Sequence, residues 1–291
     1  MPMAPVPDAH TQTCAIFGHP VGHSLSPAIH NAAFSALGLN CVYVAHDVQP
    51  ADLPAAMSGI RALGYLGLSV TIPHKVAALA LVDEVDDTAR RIGCINTVVN
   101  EEGSLKGRNT DGLGALGAIR AANVNLEQSN IVVLGSGGAA RAIAVTLLAE
   151  ATPRKLTLLG IIEPELSALA NTLRNQGKSE IVVGQLNRAG LEHALQNADL
   201  VLHTTPVGME PKSEASVVPA ELLHPGLTVF DAVYTPRRTR LLRDAAARGC
   251  RTIEGLEMFL GQALVQFQLW TGQAAPKDVM RTVIEDRLGH S

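Results

Sequence analysis

Two short segments put reactive side chains at the ends of apolar runs. GLSVTIPHK, residues 67–75, ends in Thr71, Pro73 and Lys75. GCINTV at 93–98 is followed by GRNTDG at 107–112, which adds Asn96 and Asp111. Strand ends and the turns after them are where α/β proteins assemble ligand sites. A lone Lys or Asp there is usually a solvated surface charge. Thr71, Lys75, Asn96 and Asp111 as a group suit a polyhydroxylated substrate.

A third segment is GHPVGHSLSPAIHNAAF, residues 18–34. Ser26–Pro27 reads as an N-cap followed by proline at the first helical position. Ile29, Ala33 and Leu37 recur at a spacing of four and predict one buried helical face. The plain role of Ser26 is capping. The sharper role lets Ser24 and Ser26 donate to a substrate carboxylate at the helix N-terminus. His19, His23 and His30 do not suggest a metal site: Pro20 keeps His19 and His23 off a shared helix, and no Cys or acid completes a tetrad.

IVVLGSGGAARAIAV, residues 131–145, is an apolar run, a glycine turn and a helix. Gly135, Gly137 and Ala140 satisfy G-x-G-x-x-G/A in the strand–turn–helix setting that dinucleotide binding requires. Gly135 permits the tight turn, and Gly137 removes the Cβ that would obstruct a pyrophosphate. The helix N-terminus offers N–H groups and a positive dipole end to the phosphates. The adenine-ribose end stays open, because Gly160, Ile161 and Ile162 stand where an NAD site places an acid or an NADP site an Arg.

Positioning these groups requires strands. Candidate strands are 14–17, 41–46, 67–72, 97–100, 131–134, 156–159, 181–183, 200–203 and 228–231, separated by helical stretches such as 138–149 and 166–175. That alternation predicts an α/β fold with largely parallel sheets. A first domain over 1–112 and a nucleotide-binding domain over 113–253 follow, with a helical tail, 254–291, folding back onto the first domain.

The chain has 291 residues, 47% apolar and 17% charged, which excludes a disordered chain. Its net charge of −4 and 3% aromatic content argue against nucleic acid or an anionic membrane as a partner. Cysteines at 14, 41, 94 and 250 form no C-x-x-C pair, as expected in a reducing compartment. The opening MPMAPVPDAHTQT lacks the basic and apolar regions of a signal peptide, and no apolar run is long enough for a membrane span. A cytoplasmic protein is expected.

GHPVGHSLSPAIHNAAF, VTIPHK, INTV, GRNTDG, VLGSGGAARA and DAVYTP followed by GLEMFLGQA together resemble the shikimate dehydrogenase family, including its quinate-using branch, in order and over nearly the whole chain. The resemblance implies an N-terminal α/β substrate domain, a C-terminal Rossmann-type domain and a closing helix that returns to the first. It assigns Ser24 and Ser26 to the substrate carboxylate, and Thr71, Asn96 and Gln262 to ring hydroxyls. Tyr234 falls beside the substrate, and Lys75 and Asp111 form the catalytic pair. Cofactor positions fall on Gly135, Ser136, Gly137, Gly138, Ala139, Ala232 and Gly255. The implied reaction is reversible reduction of 3-dehydroshikimate to shikimate, in aromatic amino-acid biosynthesis, by a monomer or homodimer.

Departures from the family pattern are informative. Gly160-Ile161-Ile162 replaces the usual Asn-Arg-Thr, so NADP is the expected cofactor with NAD as the alternative. Ser69 stands for the familiar Asn before V-T-x-P, which predicts a changed wall of the substrate pocket. His203 begins the H-T-T-P-V-G-M stretch where the family has Asn, a change near the nicotinamide end. Glu257 stands where a Gly often precedes Met258. The competing expectations are an NAD-preferring quinate/shikimate dehydrogenase and a non-catalytic metabolite sensor, the latter disfavoured because Lys75 and Asp111 are both present.

Overall fold

The computed structural model describes residues 6–289, so the first five residues of the opening stretch lie outside the described residues. Backbone contacts divide the chain into two compact units: residues up to Thr110 together with those from Gln262 on, and Asp111–Gly261. Among the described residues, no helix is long and apolar enough to cross a membrane.

The first unit contains β1 (Gln12–Gly18), α1 (Ser26–Ala36), β2 (Cys41–Asp47), α2 (Leu53–Ala62), β3 (Gly67–Val70), β4 (Glu84–Val85), α3 (Asp87–Ile92), β5 (Thr97–Glu101) and β6 (Ser104–Arg108). Its sheet has the order β2-β1-β3-β5-β6-β4. The three strands β1, β2 and β3 are parallel, but β5 runs antiparallel to both β3 and β6. This sheet is therefore mixed, where the alternation of elements predicts mostly parallel strands. The cause is a two-residue hairpin: Glu102 (φ 52°) and Gly103 (φ 92°) adopt the left-handed pair of angles that matches strand twist. Ser104–Arg108, with its polar alternation, gives no apolar run to read as a strand.

The second unit contains α4 (Asp111–Ala121), β7 (Asn130–Leu134), α5 (Gly138–Glu150), β8 (Lys155–Gly160), α6 (Glu163–Arg174), β9 (Glu180–Gln185), α7 (Arg188–Leu195), β10 (Leu200–His203), β11 (Thr228–Asp231), α8 (Arg240–Ala247) and β12 (Arg251–Ile253). Its sheet is wholly parallel in the order β12-β11-β10-β7-β8-β9, the doubly wound Rossmann arrangement. Val132, Leu134, Val201 and Val229 pack on Leu191 and Leu195 of α7 and Leu241 and Leu242 of α8. Such strands are buried on both faces and so read as unbroken apolar runs. Helix α9 (Gly255–Thr271) begins in this unit, and its later residues belong with the first unit, as does α10 (Lys277–Leu288). Helix α10 packs on α1.

The first unit's core has two faces. Ala15, Phe17, Leu68, Val70 and Val98 face Leu53, Met57 and Ile60 of α2. The other face holds an aromatic cluster: the His30 imidazole stacks on Tyr43 with centroids 4.7 Å apart and lies 5.2 Å from Trp270. Ile29 and Ala33 are buried as their spacing predicts. Leu37 is not: it lies just past the helix end, 38% exposed. The structure also corrects the cap. Leu25 holds the N-cap position, Ser26 is already helical and buried, and the Ser24 hydroxyl accepts from the Ser26 N–H at 3.3 Å. Pro27 remains in the first turn, where a missing N–H breaks no helical bond.

Burial holds the His30 pKa down to about 3 from its ordinary 6.5, with the Gln266 side chain partly opposing. Below pH 6.5 the unfolded chain takes up a proton that the folded chain refuses, so stability falls as pH drops toward 3. The limiting slope is about 1.4 kcal/mol per pH unit. Urea unfolding at pH 7 and pH 5 should show a smaller loss for His30→Phe than for wild type. Equal losses in the two proteins would remove His30 as the source.

Candidate active site

Sheet geometry gathers the candidate residues of the first unit. β1 and β3 end side by side at Gly18 and Val70. The antiparallel β5 starts there, with Thr97 opposite Ser69, and β6 ends there, with Arg108 opposite Thr97. The turns carrying Ser24, Ser26, Thr71, Lys75 and Asn96 thus all leave one end of the sheet. Ser26 and Asn96 are buried, whereas Ser24, Thr71 and Lys75 are half-buried. Gln262 is buried on the part of α9 that belongs to this unit.

The 71–75 turn is anchored at several points. The Thr71 N–H donates to Phe17 O at 2.9 Å, and Lys75 O accepts from the Ile95 N–H at 3.0 Å. Between them His74 is buried, its Nε2 donating to Val48 O at 2.8 Å. Lys75 therefore projects from a turn whose backbone cannot drift.

Asn96 is the hub of this end. Its Oδ1 accepts from the Thr110 N–H at 2.8 Å and from Thr97 Oγ1 at 2.7 Å. Its Nδ2 donates to Thr110 Oγ1 at 3.0 Å. A directed chain of bonds leads to it: Tyr43 OH donates to Ser69 Oγ (2.7 Å), and Ser69 Oγ donates to Gln266 Oε1 (3.1 Å). Gln266 Nε2 then donates to Thr97 Oγ1 (2.9 Å). Burial pushes the Tyr43 phenol well above its ordinary range, so it stays a donor. Ser69 is 4% exposed and bonded on both sides, so it is a member of this interior chain.

The remaining candidates lie in the second unit. Asp111 is the first residue of α4 and half-buried. Tyr234 stacks on Phe259, centroids 5.2 Å apart. Ala232 follows β11, its N–H donating to His203 O at 2.9 Å. Gly255 lies against it: a Cβ there would come within 2.7 Å of Ala232 O.

The residues from Gly135 to Ala139 join β7 to α5. Gly135 has φ +114°, and a Cβ on it would come within 2.8 Å of Thr204 Oγ1. At Gly137 and Gly138 a Cβ would meet no protein atom within 4 Å. The turn thus needs Gly135 for the fold itself, and leaves the backbone of Gly137 and Gly138 bare at the N-terminus of α5. Bare backbone at a helix N-terminus fits a dinucleotide pyrophosphate. Ser136 Oγ donates to Glu165 Oε2 at 3.2 Å, which puts an acid close to the same turn.

The sequence reading passes over Thr97, Thr110, Tyr43 and Gln266, which are ordinary residues locally. It also misses the partners of His203, Asp231 and Thr205, and Thr239, which donates to Asp231. The departure at 203 is a signal in the sequence, but its partner lies 28 residues away.

A Rossmann-type unit with a bare glycine turn, on one chain with a unit whose sheet end gathers Ser, Thr, Lys and Asn, defines the two-domain nicotinamide-dependent dehydrogenase class. The comparisons give the family. The shikimate dehydrogenase substrate binding domain matches residues 16–98, and the shikimate 5'-dehydrogenase C-terminal domain matches 255–285. The shikimate dehydrogenase (NADP(+)) of Moorella thermoacetica is 46% identical over 283 residues, 97% of this chain and 96% of that relative. Shikimate 5-dehydrogenase from Listeria monocytogenes, solved with shikimate and NAD, superposes with a TM-score of 0.92 at 30% identity, covering 97% of this chain and 99% of that one. The enzyme from Thermus thermophilus, solved with NADP(H) and shikimate, gives 0.84 at 37%, covering 95% and 99%. The chain belongs to the shikimate dehydrogenase family.

The two glycines should separate fold from binding. Gly135→Ala is expected to lower thermal stability, through strain at φ > 0 and the Thr204 clash. Gly137→Ala should leave the melting temperature unchanged and weaken NADP+ binding at least severalfold. Calorimetric titration and thermal melts of both variants check this; a Gly137→Ala protein with wild-type affinity would contradict it.

Proposed function

We propose that this chain catalyses the reversible reduction of 3-dehydroshikimate to shikimate with NADPH, within aromatic amino-acid biosynthesis. The observation that carries the reading is the gathering of Ser24, Ser26, Thr71, Lys75 and Asn96 at one sheet end in the first unit. Ser24 and Ser26 bind the carboxylate, and Thr71, Asn96 and Gln262 hold ring hydroxyls, with Tyr234 beside the ring. Gly135–Ala139, Ala232 and Gly255 hold the cofactor.

When bound, NADPH supplies a hydride to the ring carbonyl. Lys75 supplies the proton: an ammonium stabilises the developing alkoxide and then neutralises it. Asp111 is the second member of the catalytic pair and acts on the hydroxyl formed from the carbonyl. The anchored 71–75 turn fixes the backbone from which Lys75 projects, so less ordering remains when substrate arrives.

The second reading concerns the cofactor and rests on the β8–α6 turn. Ile161 and Ile162 are 74% and 48% exposed there, with Glu163 next in sequence. No Lys or Arg from this turn meets a 2′-phosphate, and Glu165 by Ser136 disfavours one. Use of NAD alongside NADP follows from that charge balance.

Initial rates for shikimate and quinate, each with NADP+ and NAD+, test both readings. Fast shikimate oxidation with NADP+ is the expected outcome, and absence of turnover in all four reactions would sink the proposal. Lys75→Ala should lose at least a hundredfold in kcat with little change in shikimate affinity. A loss of less than about tenfold, roughly 1.4 kcal/mol, would reassign the proton donor.

A further inference from the structure

The ends of β10 and β11 carry a buried polar chain that the proposed roles do not use. His203 and Asp231 are 1% and 0% exposed, and His203 Nδ1 lies 2.8 Å from Asp231 Oδ1. On the other side of the ring, Nε2 lies 2.6 Å from Thr205 Oγ1. The second carboxylate oxygen accepts from Thr239 Oγ1 at 2.6 Å, and Oδ1 also accepts from the Val233 N–H at 3.0 Å. The Thr205 hydroxyl in turn accepts from the Val207 N–H at 3.3 Å.

His203 bridges the two sides through its two ring nitrogens, Nδ1 toward the Asp231 carboxylate and Nε2 toward Thr205 Oγ1, so the ring orients the Thr205 hydroxyl. The chain locks two loops together, the one after β10 (204–209) and the one after β11 (232–239).

Both loops lie at a functional place in the sheet. β7 and β10 are neighbours at the point where strand order reverses, the place where a doubly wound sheet binds a dinucleotide. The pyrophosphate fits the turn after β7, and the adenosine half extends toward β8. That leaves the β10–β11 side for the nicotinamide half. Thr204 and Thr205 abut the turn directly, within 2.8 Å and 3.1 Å of where a Gly135 Cβ would sit.

We propose that His203 is a positioning residue, which together with Asp231 orients Thr205 and holds the two loops in the arrangement that receives the nicotinamide. The proposal rests on the reading of this unit as the NADP-binding one. His203 would touch neither substrate nor cofactor; it acts through Thr205.

The test separates the two ends of the cofactor by calorimetric titration with NADP+ and with 2′-phospho-ADP-ribose, the same molecule without the nicotinamide base. His203→Asn keeps a donor for Asp231 but is too short to reach Thr205. Thr205→Val removes the same link from the other side without touching the buried acid. Each should weaken NADP+ by about fivefold, the worth of one hydrogen bond, and leave 2′-phospho-ADP-ribose unchanged. The double variant should be no worse than either single one, because both break one link. His203→Gln, long enough to reach Thr205, should recover part of the NADP+ affinity.

Unchanged NADP+ affinity in both single variants would overturn the proposal, as would equal weakening of the two ligands. Should His203→Asn fail to fold, Thr205→Val alone decides by the same criterion. A wild-type chain that binds neither ligand would refute the cofactor reading itself. A wild type that binds both without oxidising shikimate would refute the proposed reaction while leaving the positioning role intact.

Discussion

A sheet covered on both faces leaves only its strand ends for polar chemistry, and both units of this chain are organised by that constraint. Along β1, β3, β7 and β10 almost every side chain is buried. Charged groups within such strands would require partners they cannot reach. Chemistry therefore collects where the strands stop. In the first unit the antiparallel β5 enlarges that region, since its start and the end of β6 join the ends of β1 and β3. One hairpin thus converts a two-strand end into a four-strand one.

Below each site lies a buried hydrogen-bond network. The chain from Tyr43 through Ser69, Gln266 and Thr97 to Asn96 has every donor matched to an acceptor. Such a network is costly when one member is lost and rigid when complete. It joins β2, β3, β5 and α9, so the Asn96 amide cannot rotate without breaking bonds in several elements. The His203–Asp231 chain has the same character in the second unit. Both fix a loop by tying its first residues to groups already held by the sheet.

Much of this was legible in the sequence, for physical reasons that differ by element. Apolar runs revealed the doubly covered strands, and the glycine turn after β7 announced itself because only Gly135 tolerates its φ. The short β4 and β12 and the polar β6 gave no such signal, since strand identity there comes from pairing and not from burial. The cap of α1 was misplaced by one residue because Leu25 adopts helical angles without a capping side chain. Ser69 is bonded to Gln266, which lies 197 positions away. Contacts of that separation leave no periodicity or spacing to read.

The two ends of the proposed site differ in how freely they can change. Asn96 and Thr97 are buried and bonded to each other, and buried Ser69 joins them through Gln266, so altering the substrate end disturbs the core of the first unit. Ile161 and Ile162 are exposed on a turn, and a substitution there disturbs little beyond the turn itself. Surface changes away from special backbone angles usually cost under about half a kcal/mol, whereas unpairing a buried polar group costs roughly one to three. Cofactor preference can therefore drift on a fixed fold while the substrate end stays put. The family members with NADP and with NAD in their structures fit that asymmetry. In this chain the turn after β8 carries Ile161 and Ile162, exposed residues that can change without reaching the network around Asn96.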